Sequence, residues 1–271
     1  MEGIGDFRLA EGPRYDVRTR TLYLVDINGR RLHVRPDGGQ ERSFAFEDHV
    51  TSVNLCSDSD KVLVSAGSSL WIVDVHSGRR TMILEMDLGA GMRFNDSALS
   101  PSGHLLIGSM RIDRPRVDEG RVYLVSPELE VKEVASGFAV PNGVAFLDDE
   151  EFLLVDSGRD VIRRYALSGD GIEERACHFF DKGDSPDGLC LDAEGSVMVA
   201  LWNRGQVVSL DAYSLEENSP RMDGFPIPLS AVGLSEDGRL FVTSGEGACG
   251  PGRLFVLETT MRMKAGTYWR A

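Results

Sequence analysis

The stretch 182-KGDSPDGLCLDAEGSVMVALWN-203 contains two acid–glycine pairs, Asp187-Gly188 and Glu194-Gly195, and the fold follows from telling them apart. Glycine after a carboxylate suits a chain reversal, because glycine takes positive φ without steric cost. The segment that follows Asp187, GLCLDAEGSVMVALW, has similar text elsewhere in the chain. The others are GPRYDVRTRTLYLVDI after Glu11, SVNLCSDSDKVLVSAG after Thr51, DSALSPSGHLLIGSM after Asn95, GVAFLDDEEFLLVDS after Asn142 and AVGLSEDGRLFVTSG after Ser230. These six anchor positions are 40 to 47 residues apart. Each copy reads as an alternating strand, a polar turn, a more apolar strand such as LYLVDI or VMVALW, a third strand such as SLWIV or QVVSL, and in most copies a weaker fourth such as TMIL or EVKEV.

Three or four antiparallel strands per unit of this length is the mark of a propeller blade, since one small sheet leaves a face exposed that stacking buries. The expectation is an all-β fold, a six-bladed β-propeller filling residues 1–271 as one domain. Residues 3–8 are expected to close the ring with the last blade. Glu194-Gly195 lies about eight residues past its anchor, in the phase of Ser102-Gly103 and Asp237-Gly238, and is expected to be a hairpin turn. Asp187 falls in the other phase. It precedes the innermost strand of its blade, where one residue per blade gathers at a mouth of the central channel.

The six anchors are Glu11, Thr51, Asn95, Asn142, Asp187 and Ser230, and all carry side-chain oxygen. Taken singly, each could merely cap a strand entry. Taken together, two carboxylates and two amides aimed at one small ring fit a hard divalent cation such as Ca²⁺, with Zn²⁺, Mg²⁺ or Mn²⁺ as alternatives. The five histidines, His33, His49, His76, His104 and His178, fall in other phases, which argues against a His-rich zinc site and places them on the surface or in turns.

A formal charge of −14 disfavours nucleic acid and anionic membranes as partners. No apolar run reaches membrane-span length, and the first residues lack the charged and apolar regions of a secretion signal. Cys56, Cys177, Cys190 and Cys249 are widely spaced, with no C-x-x-C, which fits buried reduced thiols in a cytoplasmic protein. There is no G-x-S-x-G elbow and no phosphate-binding glycine loop.

AEGPRYD (10–16) with LYLVDI (22–27), RFND (93–96), GSM (108–110), PNGVAF (141–146) with VDS (155–157), and PDGLCLDAEGSVMVALWN (186–203) together resemble the gluconolactonase family, also called the senescence-marker-protein-30 or regucalcin family. The resemblance spans nearly the whole chain, and the family's fold is a six-bladed propeller. It implies that Glu11, Asn142 and Asp187 bind a divalent metal, with Asn95 beside it through water or substrate. It also implies that Arg93 hydrogen-bonds sugar hydroxyls, that Asp113 contacts substrate from the 111–119 loop, and that Asp187 is the general base that opens a sugar lactone. The sequence departs from the family at RIDRPRVDEG after GSM, and at SAVGLSEDG in the last blade. Both changes bear on substrate identity more than on the metal. Rival readings are a phosphotriesterase-like calcium propeller and a non-catalytic metal-binding or interaction platform.

Overall fold

The computed structural model describes residues 2–113, 119–169, 171–263 and 267–270. These form six antiparallel sheets arranged as a six-bladed β-propeller, as the repeat predicts, and contain no α-helix. Blade 1 runs Ala10–Asp16, Thr21–Asp26, Arg31–Pro36 and Arg42–Ala45 from the channel outward. Blades 2, 3 and 4 repeat this four-strand order, with innermost strands Val50–Leu55, Met92–Leu99 and Pro141–Phe146. Blade 5 has three strands, starting at Pro186–Leu191. Blade 6 starts at Leu229–Leu234, and its outermost strand is the N-terminal Ile4–Phe7, paired antiparallel to Gly252–Glu258. The two ends of the chain therefore share one sheet and close the ring.

Six apolar clusters hold the blades together, one between each neighbouring pair. Strand alternation produces them. In Thr21–Asp26, Leu22 and Leu24 join Phe241 and Leu254 of blade 6, while Tyr23 and Val25 join Val53 and Val64 of blade 2. The second strand of each blade is thus apolar on both faces, which is why LYLVDI and its counterparts are the most hydrophobic part of every repeat.

Every innermost strand breaks register at its anchor. The shifts lie between Glu11 and Arg14, Val50 and Ser52, Phe94 and Ser97, Asn142 and Val144, Pro186 and Leu189, and Leu229 and Ala231. Such bulges re-aim side chains, and they leave Thr51, Asn95, Asp187 and Ser230 without a ladder partner, while Glu11 and Asn142 keep Val25 and Val155.

The two acid–glycine pairs separate as their phases require. Gly195 (φ 92°) sits in a turn before Ser196–Leu201. Gly188 lies inside a strand, and a Cβ there would collide with Ala231 of the next blade. Gly143 is likewise in a strand, where a Cβ would strike the Asp187 carbonyl. The glycines of P-N-G and P-D-G let adjacent innermost strands approach closely.

At the end of the channel away from the anchors lies a cavity of about 230 Å³, lined by residues including Tyr15, Leu99, Phe146 and Leu191. The C-terminal segment crosses this end. Met263 N donates to the Ser235 carbonyl, and Trp269, 2% exposed, bridges to Cys56. Among the described residues, no helix is long and apolar enough to cross a membrane. The four cysteines are free, but only Cys56 and Cys190 are buried. Cys177 and Cys249 are exposed, contrary to the expectation for all four. Cys177 lies on the outermost strand of blade 4, where alternate side chains have no neighbouring sheet to cover them.

Candidate active site at the channel mouth

Two aspartates set the entry of the chain into the anchor strands. Asp26, at the end of the second strand of blade 1, accepts from Arg8 N (3.0 Å) and Leu9 N (2.9 Å), just ahead of Glu11. Asp156 does the same in blade 4, accepting from Ala139 N (3.1 Å) and Val140 N (3.0 Å) ahead of Asn142. In blade 5 the left-handed Ser185 (φ 53°) turns the chain two residues before Asp187, with its N–H held by Asp160 Oδ1 at 2.8 Å.

Four of the six anchors meet as a buried polar ring. Asn142 Nδ2 donates to Asp187 Oδ1 and, at 3.2 Å, to Ser157 Oγ. Arg93 Nη1 donates to Asn95 Oδ1 (2.6 Å) and to the Phe94 carbonyl (2.8 Å), and Asn95 Nδ2 donates to the Pro141 carbonyl (2.9 Å). Glu11 Oε2 accepts from Gly12 N at 3.0 Å. Glu11, Arg93, Asn95 and Asp187 are all at most 8% exposed.

Burial and mutual repulsion govern the charges. Burial first, then the nearby Asp96 carboxylate, pushes Glu11 up to about 8. Asp187 is raised well above the usual carboxylate range by burial, then by Glu11 and Asp96, against the opposing influence of Asn142 and Arg93. Arg93 is lowered to about 10 by burial, although Glu11 and Asp187 both favour its charged form. A low-dielectric site holding carboxylates in excess of cations binds protons or a metal ion tightly.

The other two anchors serve the wall. Ser230 Oγ donates to the Ala10 carbonyl at 2.6 Å, tying the last blade to the first. Thr51 Oγ1 bonds Ser65 Oγ at 2.7 Å. Asp113 is exposed at the rim, where its charge acts on Arg111, so the structure does not bring it into the buried ring. Residues 114–118 of the loop expected to meet substrate lie outside the described residues. None of the histidines joins the ring, but His49 is half-buried, and Arg93 contributes to lowering its pKa after burial.

Asp96 is the residue that sequence reasoning passed over. Simple alternation turns it away from a channel that Asn95 faces. The register shift between Phe94 and Ser97 breaks that alternation. Asp96 then bears on Glu11 and Arg14 of one strand and Asp187 of another, its own pKa raised by burial. The R-F-N-D motif contained the signal, but nothing in its spacing announced the bulge.

Among the described residues, no three His, Cys, Asp or Glu side chains form a cluster suited to a metal ion. The ring supplies instead two carboxylates and two amides. In the present arrangement Asn142 turns its N–H₂ toward Asp187, and a half-turn of the amide would offer Oδ1 in its place. With that rotation the donors are all oxygen, and the repulsion that raises both carboxylates is the kind a hard divalent cation relieves. The residues present fit such an ion.

A family model described as SMP-30/Gluconolactonase/LRE-like region matches residues 9–246. The chain is 29% identical over 259 residues to regucalcin of Gallus gallus, covering 89% of this chain and 85% of that one. It is 29% identical over 247 residues to an L-arabinolactonase of Azospirillum brasilense, covering 87% and 80%. In fold it is similar to a solved calcium-binding regucalcin from Agrobacterium tumefaciens, with a TM-score of 0.88 at 24% identity over 98% of this chain and 95% of that one.

Proposed function

We propose, from the premise that the chain belongs to the SMP-30/gluconolactonase/LRE-like family, that it opens sugar lactones by hydrolysis at the buried polar ring of the channel mouth. The observation that carries this reading is the pair of buried carboxylates, Glu11 and Asp187, brought from different blades into one site that raises both of them. Glu11, Asn142 and Asp187 would hold a divalent cation, with Asn95 beside them, and Ca²⁺ is the first choice. Such an ion, when bound, supplies an electrophile for the lactone carbonyl and for the charge that develops on its oxygen.

The chain's own groups do the rest. Asp187 takes a proton from the attacking water. A carboxylate held against a cation would be a weak base, so the substrate must be a reactive ester, and a strained lactone meets that condition. Arg93, buried and held against Asn95, presents its remaining N–H groups to substrate hydroxyls. Asp113, exposed outside the ring, contributes a further substrate contact.

The test is hydrolysis of gluconolactone, followed by acid release, with Ca²⁺ present and after EDTA treatment. Turnover is expected with the ion and its loss without it, together with a fall in melting temperature on chelation. Turnover unaffected by EDTA, or exclusive turnover of a fluorophosphate triester, would overturn the reading.

A further inference from the structure

A line of buried hydroxyls runs down the channel wall between blades 2 and 3. Thr51 Oγ1 meets Ser65 Oγ at 2.7 Å, Ser65 Oγ meets Ser52 Oγ at 2.7 Å, and Ser52 Oγ meets Ser97 Oγ at 2.7 Å. Asn54 Nδ2 donates to Ser97 Oγ at 2.9 Å. All five residues are at most 5% exposed. Each hydroxyl has one proton to give, and the amide at the lower end can only donate through its nitrogen.

The direction of the whole line follows from that end. Ser97 Oγ can accept twice, but it is 0% exposed and has no other acceptor among the described residues for its proton, so that proton goes to Ser52 while Asn54 donates to the oxygen. Ser52 gives to Ser65, and Ser65 gives to Thr51. Thr51 is left with a proton that has no acceptor in the line, and among the described residues Thr51 Oγ1 has no other hydrogen bond. The contrast with Ser230 is direct, because the proton of that anchor is taken by the Ala10 carbonyl. Thr51 heads the innermost strand of blade 2, released by the register shift between Val50 and Ser52, in the blade between those that carry Glu11 and Asn95. Blade 2 is opposite blade 5 in the ring, so Thr51 lies on the side of the channel away from Asp187.

We propose that Thr51 is a specificity-determining hydrogen-bond donor, giving its hydroxyl proton to a hydroxyl oxygen on the non-reacting part of a polyhydroxylated lactone, with its donor character set from below by Asn54. The proposal rests on the lactonase reading of the mouth. A buried donor without an acceptor is costly, and a substrate oxygen removes that cost on binding. The effect belongs in substrate binding rather than in the chemical step, because the reacting carbonyl lies toward Asp187.

The experiment compares gluconolactone with δ-valerolactone, which has no ring hydroxyls, in the wild type, Thr51→Val, Thr51→Ser, Asn54→Asp and the Thr51→Val/Asn54→Asp double variant. For gluconolactone, Thr51→Val should raise KM roughly three- to tenfold with little change in kcat, and Thr51→Ser should restore it. For valerolactone, Thr51→Val should leave kcat/KM unchanged. An aspartate at position 54 can only accept, so it reverses every hydroxyl and turns Thr51 into an acceptor toward its own line. Asn54→Asp should therefore match Thr51→Val on gluconolactone, and the double variant should be no worse than either single one. Equal losses on both lactones, a wild-type KM in Thr51→Val, or additive losses in the double variant would overturn the proposal. If Asn54→Asp does not fold, the two Thr51 variants on the two lactones decide it. A wild type that opens neither lactone would instead refute the lactonase reading, and this proposal with it.

Discussion

Replacing Glu11 by glutamine tests the electrostatics of the mouth apart from any catalysis. Glutamine keeps the size of the side chain and can still accept from Gly12 N, but it cannot ionise. In the metal-free protein Glu11 is raised from 4.5 to about 8, so between those values the folded state binds more protons than the unfolded one. Stability therefore falls as pH rises from about 4.5 to about 8, the reverse of the usual behaviour of a paired carboxylate. A shift from 4.5 to about 8 corresponds to roughly 5 kcal/mol once Glu11 is ionised in the fold. At about 2 °C per kcal/mol for a chain of this size, that is on the order of 10 °C in melting temperature. Calorimetric melts in EDTA at pH 5.5 and pH 8.5 should show the wild type losing much of this amount and Glu11→Gln losing clearly less. Millimolar Ca²⁺ should recover the wild type at pH 8.5 and have little effect on the variant. Parallel pH dependences for the two proteins would refute the assignment of this burden to Glu11.

Asp187→Ala should reduce lactone opening at least 10³-fold, on the order expected for loss of a general base, without lowering the melting temperature of the metal-free protein, since it removes a buried repelled carboxylate; retained kinetics would refute the base assignment. Arg93→Ala should raise KM for gluconolactone about tenfold or more while changing Ca²⁺ affinity, read by calorimetry, much less; equal losses would mark Arg93 as structural, acting through Asn95. Arg239 of blade 6 lies 4.0 Å over the Tyr15 ring and 3.0 Å from Asp37 of blade 1, so Arg239→Ala should lower the melting temperature by about 4 °C, for about 2 kcal/mol, with hydrolysis at 25 °C unchanged.

The architecture was readable because burial between neighbouring blades imposes the same apolar second strand six times, and that regularity survives as text. That the first residues join the last blade was expected from the sequence, but the strand that closes the ring was not readable in it; Ile4–Phe7 is that strand, paired to Gly252–Glu258. The anchor positions were visible as a phase, and Glu11, Asn95, Asn142 and Asp187 do converge. What stayed hidden depends on contacts between blades. The acid–glycine pair of P-D-G looks like turn chemistry in isolation, yet Gly188 is small because Ala231 lies against it. Asp96 was out of phase until a bulge turned it inward. The hydroxyl line joins Ser52 and Ser65 of one blade to Ser97 of the next, and no spacing along one strand encodes that meeting.

The register breaks at the six anchors have a consequence for how such a molecule can change. A residue released from ladder pairing carries little responsibility for keeping its sheet zipped, so its identity can drift at modest cost to folding. Thr51, Asn95, Asp187 and Ser230 are such positions, on a frame whose cohesion resides elsewhere, in the interleaved apolar layers. Chemistry and scaffold are thereby mutationally separable, and new specificities are accessible to this ring by single substitutions at its rim.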